Sequence, residues 1–171
     1  MTMPRVTEVI SPYIDKTWFT DESRERGQII HSACACFARG LWSPPMPTEY
    51  EGFFISFEKW FSTFVKNVLL VEKTLTDSEM GFHGTPDIIV TMIDGVVTIP
   101  DYKTGAKTKT WAVQMAAYKH LAIKNGYPVE RVGTLKLHPD GTMASFDSYE
   151  DSLAAFAAFH GALIAHQYFN Q

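Results

Sequence analysis

The sequence predicts an α/β (α+β) fold, a mixed central β-sheet flanked by helices. Helical periodicity dominates both ends of the chain, β-branched runs with turn signals fill its middle, and one lysine-bearing helix separates two strand pairs. A chain of 171 residues is the length of one domain. The expected division is helices over 1–67, the sheet with its helix over 68–146, and a last helix over 147–171.

The first helix opens at Thr20 as N-cap, with Asp21 and Glu22 in the first turn, where the helix dipole favours acids. Ile30, Ala33, Cys34 and Phe37 recur at helical spacing, and Gly40 supplies a stop. After the proline-rich stretch Ser43-Pro44-Pro45-Met46-Pro47, Thr48 and Glu51 read as a capping box. The helix behind it carries an apolar stripe, Phe53, Phe57, Trp60, Phe61, Phe64 and Val68, which must be buried.

The period then changes. Val68 to Leu75 reads as a strand; Thr85 to Ile93 and Val96 to Tyr102 read as a hairpin closed by the two-residue turn Asp94-Gly95. A helix from Lys109 to Lys124 ends at Asn125-Gly126. Arg131 to Leu137 and Thr142 to Phe146 form a second hairpin across His138-Pro139-Asp140-Gly141. Ser148 and Asp151 cap a last helix, whose Leu153, Phe156, Ala157 and Leu163 point inward.

Composition excludes several classes. With 46% hydrophobic and 20% charged residues, the chain is neither disordered, coiled-coil nor collagen-like. Its apolar runs are far shorter than the ~20 residues of a membrane helix. The stretch from Met1 to Ile10 lacks the apolar core of a secretory signal. Cys34 and Cys36, the only cysteines, make neither a disulfide framework nor a four-cysteine metal set. The expectation is a cytoplasmic protein without a membrane partner. Charge is uneven: residues 101–136 hold seven basic and two acidic side chains within a chain of net charge −4. A positive stretch in an acidic protein suits phosphate, although a solvated lysine face reads the same way.

The chemistry-bearing residues gather around the first hairpin. Pro86-Asp87 opens one strand and Asp101-Tyr102-Lys103 ends its partner, so two carboxylates can face each other and share one hard cation. Oxygen donors suit Mg²⁺ or Mn²⁺. Strand alternation puts Asp101 and Lys103 on one face, where a lysine can orient a water or neutralise charge growing on a phosphate. Glu72, upstream, is a candidate third carboxylate. Gln114 and Tyr118 lie at i and i+4 on one helix face, and His31 offers an imidazole from the first helix. His83 reads as a loop residue rather than a ligand. Lys107, Lys109, Lys119 and Trp111 are candidates for contacting nucleic-acid phosphates and bases, against the plainer reading of solvated lysines and a packed tryptophan.

Taken in order, Pro86-Asp87, Asp101-x-Lys103 and Gln114-x-x-x-Tyr118 resemble the motifs of the PD-(D/E)xK nuclease superfamily. The Gln-x-x-x-Tyr element is similar to its RecB-like branch, which includes the Cas4 nucleases and mitochondrial genome-maintenance exonuclease. Arg26-Gly27-Gln28-Ile29-Ile30-His31 resembles that branch's early helix, and Gly84-Thr85-Pro86-Asp87 and Asp101-Tyr102-Lys103-Thr104-Gly105 its central motifs. The resemblance implies a restriction-endonuclease-like core and a magnesium- or manganese-dependent deoxyribonuclease acting on DNA, with exonuclease favoured. Asp87, Asp101, the Tyr102 carbonyl and His31 would hold the metal, with Glu72 accessory; Lys103 would act on the water; Gln114 and Tyr118 would orient the site. Four cluster cysteines of the Cas4-like members are absent, so no iron–sulfur cluster is expected. The implied setting is recombination, repair or replication in a bacterium or a phage-infected cell, alongside a recombination or replication protein. The rival readings are a structure-specific or restriction-type endonuclease on the same scaffold, a catalytically silent binding module of this fold, and an unrelated α+β protein.

Overall fold

The computed structural model describes residues 3–15, 17, 20–150 and 153–170. In chain order its elements are helices α1 (Val6–Ile10), α2 (Asp21–Ala38) and α3 (Thr48–Phe64) and strands β1 (Val65–Val71), β2 (Leu75–Asp77), β3 (Phe82–Gly84), β4 (Ile88–Met92) and β5 (Val97–Lys103). Helix α4 (Thr110–Lys124), strands β6 (Arg131–Lys136) and β7 (Ser145–Tyr149) and helix α5 (Leu153–Phe169) complete it. Five strands form one mixed sheet in the order β1-β4-β5-β6-β7, and β2 with β3 form a small separate hairpin. The parallel pair is β5 with β6, and α4 is the crossover that a parallel pair requires.

The sheet is covered on both faces, which explains why its middle strands read as near-continuous apolar runs. On one face α1, α4 and α5 bury Ile99, Met115, Leu121, Val132 and Phe159. On the other, α2 and α3 bury Ile30, Phe57, Trp60, Ile88, Tyr102 and Leu135. The aromatic stripe predicted on α3 is buried here, with Phe57 ringed by Phe37, Phe61 and Tyr102 at centroid distances of 5.2–5.9 Å. Each such pair adds about 0.5–1.5 kcal/mol beyond area burial.

Helix α2 is capped as its sequence predicts. Thr20 Oγ1 accepts from Ser23 N–H, and Ser23 Oγ returns the bond to Thr20 N–H, both at 3.0 Å. Several local expectations are corrected. Thr48 is the first helical residue of α3; Pro47 takes the N-cap and no Thr48–Glu51 capping box forms, because a proline at that position supplies extended backbone but no side-chain acceptor. Helix α3 stops at Phe64, so Val68 lies in β1, which begins at Val65. Four residues, Ile93-Asp94-Gly95-Val96, lie between the ends of β4 and β5. Gly95 N–H bonds the Met92 carbonyl at 2.9 Å and Met92 N–H bonds the Val96 carbonyl at 3.0 Å. Gly95 has φ +88°, so this is a tight turn followed by a left-handed residue rather than a two-residue turn.

The last strand is also displaced. Thr142 to Ala144 are not extended; Asp140 Oδ1 holds Thr142 N–H and Oγ1 at 3.0 and 2.7 Å, and Ala144 N–H bonds the Ser56 carbonyl of α3. Strand β7 therefore starts at Ser145, and Ser148 pairs with Gly133 in the sheet instead of capping α5. Asp151, the other predicted cap, lies outside the described residues. The β2–β3 hairpin and α1 were not expected. His83 lies in β3, opposite Thr76, rather than in a loop. Asp77 closes this hairpin by accepting from Glu79 and Met80 N–H and ties it to α4 through His120 Nε2 at 2.7 Å.

Helix α3 holds the β6–β7 connection against itself. His138 N–H donates to Ser56 Oγ, and Lys59 Nζ donates to the Gly141 carbonyl. A Cβ on Gly52 would lie 1.8 Å from the Pro139 carbonyl oxygen, so only glycine permits this approach. Gly52→Ala should therefore lose about 1–3 kcal/mol of stability despite alanine's better helix propensity. Gly27→Ala in α2, where a Cβ meets nothing within 4 Å, should gain about 0.5–1 kcal/mol. Urea unfolding of the two variants checks both signs; equal effects would refute the close-approach argument.

Candidate active site

The site lies where the N-terminal end of β4 meets the C-terminal end of β5. Strands β4 and β5 pair with Val90 opposite Thr98, and the same register carried outward brings Asp87 level with Asp101. Pro86, which has no N–H to satisfy, precedes Asp87 just outside β4. Asp87 is then fixed from three sides. Tyr102 N–H donates to its Oδ2 at 2.7 Å, His31 Nδ1 lies 3.1 Å from its Oδ1, and its carbonyl accepts from Glu72 N–H at 3.0 Å.

His31 projects from α2 across the sheet end. Its Nε2 lies 3.1 Å from the Tyr102 carbonyl oxygen while Nδ1 faces Asp87. Both partners only accept, so the ring satisfies both as an imidazolium. The electrostatics agree. Burial would lower the His31 pKa, but the Asp87 carboxylate outweighs it and holds the imidazole above its ordinary value. Burial likewise pushes the Asp87 carboxyl up, and His31, Lys103 and the Tyr102 N–H together hold it below the ordinary carboxylate range.

Asp101 is the opposite case. It is 3% exposed, and burial raises its pKa; Lys103 lowers it and nearby Asp87 raises it again, leaving a net rise. Its Oδ2 forms an ion pair with Lys103 Nζ but takes no well-aligned hydrogen bond. Lys103 Nζ also donates to Gln114 Oε1 at 3.2 Å, and Gln114 Nε2 donates to Tyr118 Oη at 3.2 Å. The chain Asp101–Lys103–Gln114–Tyr118 thus runs from β5 onto α4, with the Trp111 ring 5.4 Å from Lys103 Nζ. Gly84 makes room for Tyr118, whose Cε1 would be 2.8 Å from a Cβ at that position.

The structure brings His31, Asp87, Asp101, Tyr102, Lys103, Gln114, Tyr118 and Trp111 together. It does not bring Glu72 in as a carboxylate: the residue follows β1 with φ +45°, and its Oε2 lies 3.6 Å from Arg39. Only its backbone N–H serves the site. Lys107 pairs with Asp147 at 2.9 Å on the exposed edge, and Lys109 is exposed at the start of α4. Lys119 Nζ bonds the Glu130 carbonyl at the other end of the sheet, away from Asp87. Lys136, offered by the sequence only as part of the basic run 101–136, stands in register with Lys103.

The donor set suits a hard divalent cation: two carboxylates, a backbone carbonyl and an imidazole, with no thiolate among them. Asp101 Oδ2, buried without an aligned donor, is the atom that such a charge would satisfy. In the metal-free arrangement no three His, Cys, Asp or Glu side chains among the described residues are disposed to hold an ion directly: His31 and Lys103 fill the contacts of the two carboxylates. Ligation by His31 needs its neutral ring.

No family model matches the chain, and no curated protein matches it. Among solved structures it is similar to one described as LHK-Exo in complex with dAMP, at 15% identity and a TM-score of 0.40, over 95% of this chain and 85% of that one.

Because burial raises the Asp101 pKa, its charged form costs stability in the metal-free protein at neutral pH. The favourable contribution of the protonated carboxyl is fully present only below the unfolded value and is lost as pH rises through the raised folded one. Asp101→Asn should therefore unfold at a higher temperature than the parent at pH 7 in chelator, with the gap closing as pH falls towards 4. A lower midpoint for the variant would mean that the Lys103 pairing outweighs burial.

Proposed function

We propose that the protein is a divalent-metal-dependent deoxyribonuclease that hydrolyses DNA phosphodiester bonds, an exonuclease of RecB-like type. The observation that carries this reading is the placement of His31, Asp87, Asp101 and the Tyr102 carbonyl at one sheet end, with Lys103 paired to Asp101. The motif resemblance supplies the RecB-like assignment and the preference for exonuclease. It also supplies the setting of recombination, repair or replication, in a bacterium or a phage-infected cell, with another protein of that process as a possible partner. No helix among the described residues is long and apolar enough to cross a membrane.

Mg²⁺ or Mn²⁺, held by Asp87, Asp101, the Tyr102 carbonyl and His31, would supply Lewis-acid activation of the scissile phosphate and of a water. The chain's own residues do the rest. Asp87 is held ionised at neutral pH by His31, Lys103 and the Tyr102 N–H. Lys103 is aimed by Gln114, whose Oε1 takes one ammonium N–H and whose amide is oriented in turn by Tyr118. An ammonium fixed in this way stabilises charge growing on the phosphate oxygens, a benefit realised mainly in the transition state. Both sheet faces are packed, so Lys103 sits on a rigid strand and Gln114 and Tyr118 on a packed helix.

Purified protein should degrade linear duplex or single-stranded DNA with Mg²⁺ or Mn²⁺ and leave covalently closed circles intact. Cleavage in excess chelator would end the metal reading, and nicking of closed circles would move the assignment to endonuclease. Lys103→Ala should lower turnover by about 10²–10⁴-fold while DNA affinity measured in Ca²⁺ falls only a few-fold. Equal losses in both would make Lys103 a plain phosphate contact.

A further inference from the structure

Helix α5 does not have the composition of the surface it occupies. From Leu153 to Asn170 it carries no Asp, Glu, Lys or Arg, whereas a helix packed on one side of a domain ordinarily turns a charged face to water. A helix that is apolar all round belongs in an interior, yet only Phe159 and Leu163 of α5 are fully buried. One side is seated on the domain: Phe159 meets Phe82 at 4.8 Å, Phe156 stacks on His120 at 4.6 Å, and Gln167 Nε2 donates to the Met80 carbonyl. The other side leaves Leu153 90%, Ile164 55% and Tyr168 71% exposed. Leu153, Ala157, Gly161, Ile164 and Tyr168 recur at helical spacing and form one stripe, about 22 Å long.

Size and charge say what covers it. With Phe169, 80% exposed, the large side chains of this face leave about 400 Å² of apolar surface in water. That is about half of the ~800 Å² that each partner of a standard interface contributes. The small residues of the stripe enlarge the patch, as does exposed Ile123, one turn along α4 from the His120–Phe156 stack. A partner of other sequence is ordinarily aligned by complementary charge, and a membrane-surface helix carries Lys and Arg on its polar side; α5 offers neither. A second copy needs only a face that matches itself, and here two chains of net charge −4 meet with no like charges opposed. The order of sizes fixes the direction. In an antiparallel pair crossing between His160 and Gly161, Ile164 of one copy meets Ala157 of the other, and Tyr168 meets Leu153. Small residues at the crossing let the axes approach, to about 8 Å. A Cβ at Gly161 would meet nothing within 4 Å in the single chain, so this space is free for a partner. The large residues fill the gap that opens as the axes diverge. A parallel pair would crowd Ile164 on Ile164 and Tyr168 on Tyr168 at one end of the stripe.

We infer that α5 is the interface of a symmetric homodimer, in which two copies of the chain pack antiparallel through the stripe from Leu153 to Tyr168. No residue of the candidate active site lies on α5, so the pairing is independent of the nuclease reading.

Sedimentation equilibrium of the full chain without DNA, over a range of concentrations, should show a monomer–dimer equilibrium whose limiting mass is twice that of the chain. Gly161→Leu places a side chain where the monomer has open space and replaces glycine by a better helix former. It should preserve or raise the thermal midpoint while weakening association about 10–100-fold. Trp42→Lys, at an exposed residue after α2 on the opposite side of the sheet, should leave the association constant at the parent value. Ala157→Glu and Ile164→Lys should each weaken association, and the double variant should recover most of it, because antiparallel pairing sets each new carboxylate against a new ammonium. A parent that sediments as monomer at every concentration overturns the dimer; if it then floats with phosphatidylcholine vesicles, the face is a membrane contact. A limiting mass above twice that of the chain overturns the two-fold arrangement. Association that Gly161→Leu leaves intact, or that Trp42→Lys removes, overturns the assignment to α5. A double variant no better than either single one overturns the antiparallel register. Should Gly161→Leu fail to fold, the parent and the charge pair still decide.

Discussion

One buried carboxylate ties the architecture together. Asp87 accepts from the Tyr102 backbone on β5 and faces His31 on α2, and its own carbonyl accepts from Glu72 behind β1. Three strands and a helix from distant parts of the chain are thus joined through a single residue at the end of β4. A carboxylate with several charge-assisted partners in a part-buried setting is worth more than a surface ion pair. Removing its charge leaves an imidazolium and an amide without their acceptor, which costs more than the pair's net contribution. The geometry that holds Asp87 ionised is therefore also the geometry that closes the sheet end.

The second carboxylate follows from the first. With Asp87 ionised nearby and water excluded, Asp101 meets both a like charge and a poor solvent, and only Lys103 offsets them. Lys103 is in turn shared with Gln114, and Gln114 with Tyr118. The polar chain continues from β5 into α4, whose other face is packed into the core by Met115, Ala117 and Leu121. The crossover helix demanded by the parallel β5–β6 pair is thus what aims the ammonium. Topology and electrostatics are not separable here.

Much of this was legible from periodicity and charge. The aromatic stripe on α3, the Thr20 cap, the facing strands that carry Asp87 and Asp101, and the i, i+4 relation of Gln114 and Tyr118 are all local patterns, and local patterns survive tertiary context well. What was not legible depended on contacts between segments. Thr48 lost its capping role to the preceding proline, and Ser148 was claimed by pairing with Gly133. The stretch after Asp140 lost its strand to hydrogen bonds with Asp140 and Ser56. The β2–β3 hairpin is too short for a period to register, and it is held by a long-range partner, His120. Glu72 illustrates the limit within the site. Its position in the chain was relevant, but a left-handed backbone turns the carboxylate to Arg39 and leaves the amide to do the structural task. Lys119 has the right charge on the right helix and the wrong end of the sheet.

The same end of the molecule also concentrates its unfavourable features. Asp101 is charged against its environment, the Tyr102 hydroxyl and the Arg26 Nε are buried without partners, and Glu72 holds a φ that costs a non-glycine residue about 1–2 kcal/mol. Strain and unpaired polarity of this kind persist only where surrounding structure over-determines them, and here the two apolar cores on either face of the sheet do so. The two carboxylates themselves are answered by His31 and Lys103, so what the packing sustains at this end is burial and unpaired polarity rather than a net excess of either sign.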